Sequence, residues 1–295
     1  MNLVAGIETG GTKILARIVE FGSGKTVAER RCPTGTADEA VRDLADFLSE
    51  LPEDGRLLGV GMAAFGPLIV DPQAPDYGRM LATPKPGWAG SNLRAEIEAR
   101  LAVPVMVDTD VNAAARAEQQ LGAGRGLPSI AYVTVGTGIG AGLAIDGHSL
   151  KGALHPEAGH LRLIRRSGDE VPSSCPFHDD CAEGLAAGAA VRLRLGPDRG
   201  LADDPAVAEL VADYLGQLAA ALVLAWTPNR IVWGGGVIGA ALLMPMIHAR
   251  LLASLGGYGV GPQVEQPGFC APAALTAAGL EGALLMARRV AGARA

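Results

Sequence analysis

The stretch that most limits what this chain can fold into is GIETGGTK, Gly6 to Lys13, taken with the residues after it. Gly6 and Gly11 have the spacing of a phosphate-binding P-loop, G-x-x-x-x-G-K-[ST], but Thr12 precedes Lys13 where the lysine must come first. A P-loop also opens a helix, whereas Lys13-Ile14-Leu15-Ala16-Arg17-Ile18-Val19 is β-branched and apolar and reads as a strand. The stretch is therefore strand, glycine turn, strand: a hairpin with bare backbone at its tip. The middle of the chain repeats the plan, with Ile130 to Val135 as a strand, GTGIGAG as a glycine turn and Leu143-Ala144-Ile145 returning. GTGIGAG is not a dinucleotide fingerprint, because no register places all three glycines and a strand rather than a helix follows. A third strand, Arg230 to Trp233, runs into Gly234-Gly235-Gly236. A glycine turn lets backbone N–H groups approach a polyanion with no side chain in the way. Three such turns, on strands that alternate with helices, point to a nucleotide held between two α/β lobes.

The remaining pattern agrees with two lobes. The chain has 295 residues, 49% of them hydrophobic and 19% charged, which suits a large buried core and excludes a disordered chain. A formal net charge of -6 with no strongly basic face argues against nucleic acid as a partner. Arg162, Arg165 and Arg166 read as a solvated loop. The first residues carry no basic segment leading into an apolar one, so a secretory signal is not expected. The most apolar helix, around Leu215 to Trp226, contains Gln217 and reads as too short to span a bilayer. A cytoplasmic protein with no membrane partner follows. Thr36 and Glu39 form a capping box for a helix through Val41, Leu44, Leu48 and Leu51. Leu57 to Ala63 is a strand ending at Phe65-Gly66-Pro67, and residues 71 to 92 form a long Pro/Gly/Asp-rich loop. Leu93, Ile97 and Leu101 share one helix face. The strand Val103 to Val107 leads through Asp108 and Thr109 to the alanine-rich helix that opens at Asp110, and helices are expected to fill most of the second half.

Two residue groups carry chemistry. Cys175-x-x-His178-x-x-Cys181 offers three ligands at metal-binding spacing, and either His155 or His160 could complete a closed Cys₂His₂ set, which is a structural rather than a catalytic zinc arrangement. Cys32 and Cys270 read as small buried hydrophobes. Asp110, at a strand end and a helix start, reads on its own as a helix N-cap.

Taken in order, GIETGGTK, TDVNAAA, VGTGIGAG, HPEAGH, CPFHDDCAEG and IVWGGGV resemble the ROK family of bacterial sugar kinases over most of the chain. Within that family ETGGTK, FGPL, TPKPGW, TDVN and CPFHDDCAEGLAAG are most similar to the fructokinase subgroup. The resemblance implies an α/β fold of two lobes, the actin-like ATPase (ribonuclease H-like) architecture, with a zinc-containing loop. The lobes would cover 1–112 and 113–295, with the last helix able to pack back on the first lobe. It implies that Gly10, Gly11, Thr12 and Lys13 form a first phosphate loop, that Gly136, Thr137 and Gly138 form a second, and that Gly234, Gly235 and Gly236 lie beside the adenosine of ATP. Asp110 becomes the general base that aligns a sugar hydroxyl and accepts its proton. By the same resemblance Gly66, Asp110, Glu157, His160 and Glu183 would contact the sugar, and the carboxylates among them suit that work because each can accept hydrogen bonds from vicinal hydroxyls. His160 joins Cys175, His178 and Cys181 around the zinc, and Glu8 orients a water of the Mg²⁺ carried by ATP. Thr109 stands where many relatives have an asparagine that touches sugar, which favours fructose over glucose. The implied activity is an ATP-dependent fructokinase acting as a cytoplasmic homodimer. The alternatives are a hexose kinase for mannose, glucose or an N-acetylhexosamine, and a non-catalytic sugar-sensing regulator. Regulators of the family carry a DNA-binding winged helix ahead of the first phosphate loop, and the short run before Gly6 favours the kinase.

Overall fold

The computed structural model describes residues 1–239 and 243–293. The chain folds as two units: Met1–Ala117 with Ser149–His155 and Ala277–Ala295, and Glu118–His148 with Pro156–Thr276. The division expected after residue 112 therefore falls at 117/118, and the chain returns to its first unit twice, the second time with its last helix.

In the first unit β1 (Asn2–Thr9), β2 (Lys13–Glu20) and β3 (Thr26–Pro33) form an antiparallel meander, and β4 (Arg56–Ala64) and β5 (Val105–Thr109) continue from β1 in parallel, giving the order β3-β2-β1-β4-β5. The central strands β1 and β4 are buried along almost their whole length, as strands covered on both faces must be. One face packs on α1 (Ala37–Ser49) and α2 (Leu93–Leu101), with Leu3, Ile7, Ile14, Ile18, Val41, Leu44, Leu48 and Ile97 in its core. The predicted capping box opens α1: Thr36 Oγ1 accepts from Glu39 N at 3.4 Å and Glu39 Oε2 accepts from Thr36 N at 2.8 Å. The other face carries the last helix, α8 (Ala278–Gly292), which contributes Leu284, Ala287 and Ala291 beside Val4 and Val19. Glycines set this approach. A Cβ on Gly61 would lie 1.9 Å from Ala283 O and one on Gly6 would lie 2.8 Å from Leu284 Cγ, so bare backbone lets α8 rest on the sheet. A Cβ on Gly282 would lie 2.0 Å from Ala113 O, so α8 also sits against the first turn of α3 (Asp110–Leu121), whose alanines are buried.

The second unit uses the same sheet order. β6 (Ser129–Val135) pairs antiparallel with β7 (Ile139–Ile145), β8 (His148–Ser149) flanks β7, and β9 (Ile231–Gly234) and β10 (Cys270–Pro272) continue in parallel from β6, giving β10-β9-β6-β7-β8. Read from its other edge, this is the first sheet again, with the glycine hairpin and two parallel neighbours in matching places. Two details depart from the sequence reading. The second glycine turn is shorter than GTGIGAG, because β7 begins at Ile139 and Gly140 and Gly142 are ladder residues opposite Thr134 and Tyr132. Helices do not fill the second half: α4 (Ala182–Ala186) and α5 (Gly188–Leu195) are short, residues 150–180 form turns, loops and a short 3₁₀ segment, and residues 256–277 do the same on either side of β10.

The long helix α6 (Pro205–Trp226) starts where Asp204 Oδ1 accepts from Val207 N at 3.2 Å, with Pro205 at its first position. Its 22 residues make it long and apolar enough, by length and composition, to cross a membrane, which corrects the expectation of a helix too short for that. Its buried side chains show where that apolarity goes. Val211, Leu215, Leu218 and Leu222 are enclosed within the unit, and the helix packs on α7 (Leu243–Leu255), where Arg250 pairs with Glu209 and Asp213 of α6.

Candidate active site

The first glycine turn links β1 to β2. Gly10 N donates to Lys13 O at 2.9 Å, and Thr34, the residue after β3, holds the turn from the side, with Oγ1 donating to Gly10 O at 2.7 Å and N donating to Thr12 O at 3.2 Å. Lys85, from the TPKPGW loop, donates its Nζ to Gly11 O. That loop is no free surface segment, because Trp88 is buried and donates Nε1 to Gly35 O at 2.9 Å. A Cβ on Gly11 would meet nothing within 4 Å, so the protein's own packing does not require glycine there. Glycine at such an exposed tip keeps the backbone open to a ligand.

Glu8, the next-to-last residue of β1, points to α8. Its Oε2 accepts from Leu280 N at 3.1 Å, so a strand carboxylate satisfies an opening N–H of a helix whose own N-cap residue, Ala277, offers no side-chain acceptor. Burial raises the Glu8 carboxyl above its ordinary range, partly offset by the Leu280 N–H and by the charge of Lys13.

Around Asp110 the first unit builds a tight polar turn. Thr109 Oγ1 accepts from Asn112 N at 3.2 Å, the bond of a helix N-cap, while Asp110 Oδ1 accepts from Val111 N at 2.8 Å. Capping, the ordinary task of an aspartate at this place, is therefore done by Thr109. Gly66 lies in the turn after β4, two residues before Leu68, whose N–H donates to His155 Nε2 at 3.1 Å.

In the second unit the glycine turn is closed by Gly136 N donating to Gly138 O at 2.9 Å, with Thr137 between them. Gly188 N, opening α5, donates to Gly136 O at 2.8 Å, and Glu183 Oε2 accepts from Ile139 N at 3.0 Å. Glu183 thus ties α4 to the turn, and a Cβ on Gly138 would lie 2.3 Å from its Oε2. Gly234 and Gly235 are set by the fold: a Cβ on Gly234 would lie 2.1 Å from the Tyr132 hydroxyl, and Gly235 has φ +91°. Gly236 is open within 4 Å, as Gly11 and Gly136 are.

The Cys/His residues gather in this unit. One ligand atom from each of His160, Cys175, His178 and Cys181 lies within 4.8 Å of all the others. Cys175 Sγ is 3.8 Å from His160 Nδ1 and 3.7 Å from His178 Nδ1, and Cys181 Sγ is 3.8 Å from His160 Nδ1. A tetrahedral site with metal–ligand bonds of about 2.0–2.3 Å places sulfur and nitrogen ligands roughly 3.6 Å apart, so this cluster could hold a zinc ion. His155, the rival for the fourth place, is instead buried in the first unit against Leu68. The cluster's flanks carry the two carboxylates: Glu157 precedes the 3₁₀ turn that contains His160, and Glu183 lies in the first turn of α4, which Cys181 opens by accepting from Gly184 N at 3.3 Å. Burial and the charge of Glu183 push the Glu157 carboxyl up to about 7. Arg165 is no solvated residue: its guanidinium reaches Asp180 Oδ1, Val171 O and Asp179 O, each at 2.8 Å, and braces the loop that holds three of the four ligands. Neither Arg165 nor Lys85 was legible as a site residue, since a lone cation in a polar loop has no pattern.

Two five-stranded sheets of one order, each with a hairpin closed by a glycine turn, define the actin-like ATPase class of α/β proteins. The chain belongs to the ROK family, which it matches over residues 4–290. It is similar to a fructokinase from Pediococcus pentosaceus, with 37% identity over 97% of this chain and 98% of the relative. Among solved structures it is similar to a ROK hexokinase from Thermus thermophilus, with TM-score 0.75, 29% identity and coverage of 97% of both chains. A ROK glucokinase from Streptomyces griseus, solved in complex with glucose and AMPPNP, gives TM-score 0.76 and 27% identity over 97% of this chain and 99% of that one.

Proposed function

We propose that the chain is an ATP- and Mg²⁺-dependent hexose kinase that converts D-fructose to D-fructose 6-phosphate. The similarity to the P. pentosaceus fructokinase over nearly the whole of both chains carries this reading. The S. griseus relative, holding glucose and AMPPNP, supports a sugar and an ATP site in this fold. Phosphoryl transfer needs positioning and charge stabilisation more than covalent chemistry, and each unit offers parts for that work.

Asp110 aligns the acceptor hydroxyl and takes its proton, a task compatible with Thr109 serving as the cap. Glu157, His160 and Glu183 receive the other sugar hydroxyls, and Gly66 lines the same ligand. Gly10, Gly11, Thr12 and Lys13, with Gly136, Thr137 and Gly138, receive the phosphates through backbone N–H groups, and Gly234, Gly235 and Gly236 border the adenosine. Mg²⁺ carried by ATP would supply charge neutralisation at the phosphates, and Glu8 would orient one of its waters. Zinc would be held by His160, Cys175, His178 and Cys181; with four protein ligands it serves structure, fixing the loop that ends in Glu157 and Glu183. We place the protein in the cytoplasm as a homodimer.

The test is a panel of fructose, mannose, glucose and N-acetylhexosamines with ATP, following ADP release. The highest kcat/KM is expected with fructose. A preference for another hexose would change the acceptor, and the absence of sugar-dependent ADP release with all of them would overturn the kinase reading.

A further inference from the structure

We propose that Lys151 is a positioning residue for Asp110, acting through the buried carboxylate of Asp108; this rests on the reading of Asp110 as the base. Lys151 lies in Ser149–His155, the short passage in which the chain re-enters its first unit before leaving it again. Three polar contacts tie that passage down. Lys151 Nζ lies 3.1 Å from Asp108 Oδ2 and 3.3 Å from Val70 O, and His155 Nε2 accepts from Leu68 N at 3.1 Å.

Asp108 is what makes the first contact consequential. Its side chain is 2% exposed, against 30% for that of Lys151. Its Oδ1 accepts from Thr109 N and from Asn112 Nδ2, both at 2.8 Å, and the Asn112 backbone N–H in turn donates to Thr109 Oγ1. Thr109 and Asn112, which bracket Asp110 and Val111, are thus bound to one carboxylate whose other oxygen is held by Lys151. Among the described residues, Arg116 and Tyr77 also bear on Asp108. Arg116, further along α3, is buried and has its proton affinity lowered by that burial and supported by Asp108. Tyr77 is a neutral hydroxyl, raised to about 12, that bonds Val107 N and O at 2.8 Å.

Removing the Lys151 ammonium takes away the cation held at Asp108 Oδ2 and leaves the charge of Arg116 to offset only part of the buried carboxylate. Without the Lys151 ammonium, Asp108 either draws in water and loosens the turn or keeps its charge two residues from Asp110. The first displaces the base; the second makes it hold its proton more tightly. Small displacements of a reacting group lower turnover by up to about a hundredfold.

The experiment compares Lys151→Met, Lys151→Arg and the double variant Lys151→Met/Asp108→Asn in the full chain, with Asp110→Asn as reference. Turnover, KM for fructose and for ATP, the pH profile of kcat and the melting temperature are measured. Lys151→Met should lower kcat about ten- to a hundredfold with KM for ATP changed less than about twofold, and should move the acid limb of the kcat profile to higher pH. Lys151→Arg should recover most of the turnover, and the double variant should move the acid limb back towards wild type. Lys151→Gln gives the same comparison should the methionine variant not fold. An inactive Asp110→Asn beside a Lys151→Met enzyme with wild-type kcat and acid limb would overturn the proposal and leave the base reading standing. A loss that tracks the folded fraction, with the acid limb unmoved, would also overturn it. Wild-type turnover in Asp110→Asn would remove the base reading, and the proposal with it.

Discussion

Thr109 Oγ1 accepts the backbone N–H of Asn112 at 3.2 Å, so the helix beginning at Asp110 is capped by the residue before that aspartate. This separates two tasks that the sequence alone assigns to one side chain. Asp110→Asn should therefore lower kcat about a hundredfold or more while the melting temperature and ATP affinity change little. Thr109→Val should do the reverse at the level of stability, destabilising by about 1 kcal/mol through the lost cap. Thermal melts of both variants beside steady-state kinetics check the pair. An Asp110→Asn enzyme that turns over normally sinks the assignment.

Gly11 lies at an exposed hairpin tip where an added Cβ meets nothing within 4 Å. Gly11→Val should fold with a near wild-type melting temperature and yet lose nucleotide binding, because its branched side chain occupies the space through which a phosphate oxygen approaches the backbone. Titration calorimetry with an ATP analogue reads the effect directly; unchanged affinity would take this turn out of the nucleotide site.

Purified protein should contain about one zinc per chain. Removing it with a chelator, or by Cys181→Ser, should raise KM for fructose far more than KM for ATP, because Glu157 and Glu183 flank the ligand-bearing loop. His155→Ala should keep its metal, since that ring accepts from Leu68 N, whereas His160→Ala should lose it. Metal analysis that finds no zinc, or a stripped enzyme with an unaltered KM for fructose, contradicts the structural-zinc reading.

Glu8 supplies the pH dependence. Its folded carboxyl is raised above the reference value of 4.5 by burial, so the folded chain binds this proton more tightly than the unfolded chain. The stability from that proton is present below about 4.5 and lost as pH rises through the folded value. Glu8→Gln keeps an acceptor for Leu280 N but cannot ionise. Its melting temperature should therefore gain on wild type as pH is raised from about 4 to 7. If Glu8 also orients a water of Mg²⁺, the variant should need more Mg²⁺ for half-maximal rate with KM for fructose unchanged. Parallel pH profiles of the two melting temperatures would argue against a raised carboxyl.

What was legible in the sequence was local and periodic. The capping box at Thr36 and Glu39 and the apolar face of α1 are written in adjacent residues, as are both glycine hairpins and the Cys-x-x-His-x-x-Cys spacing, and the structure contains each of them. Where local pattern is weak, elements leave no signature in the sequence. β3 has no such signature because ERRC is polar, and an edge strand can face solvent; its Glu29 is paired with Arg17 across the ladder. β10 is three residues long and has no period to detect. The most apolar run of α6 begins only after Asp213, because Pro205, Glu209 and Asp213 interrupt its first half, whereas the cap at Asp204 starts the helix at Pro205.

The sequence by itself determined the class of chain: two α/β halves on one plan, glycine turns after strands, and a Cys/His group with the ligand types for zinc. Tertiary structure decided which residues share a task. It put His160 with the cysteines and sent His155 to Leu68, gave the cap to Thr109, and brought Lys151 to Asp108 from a distant part of the chain. It also brought α8 onto β1 and β4, where Gly6 and Gly61 leave room for it. The reason is physical. Hydrogen bonds within one turn follow from backbone geometry and side-chain type, so a few consecutive residues specify them. A buried ion pair or a helix resting on a sheet depends on surfaces that meet only when the whole chain has closed around its core.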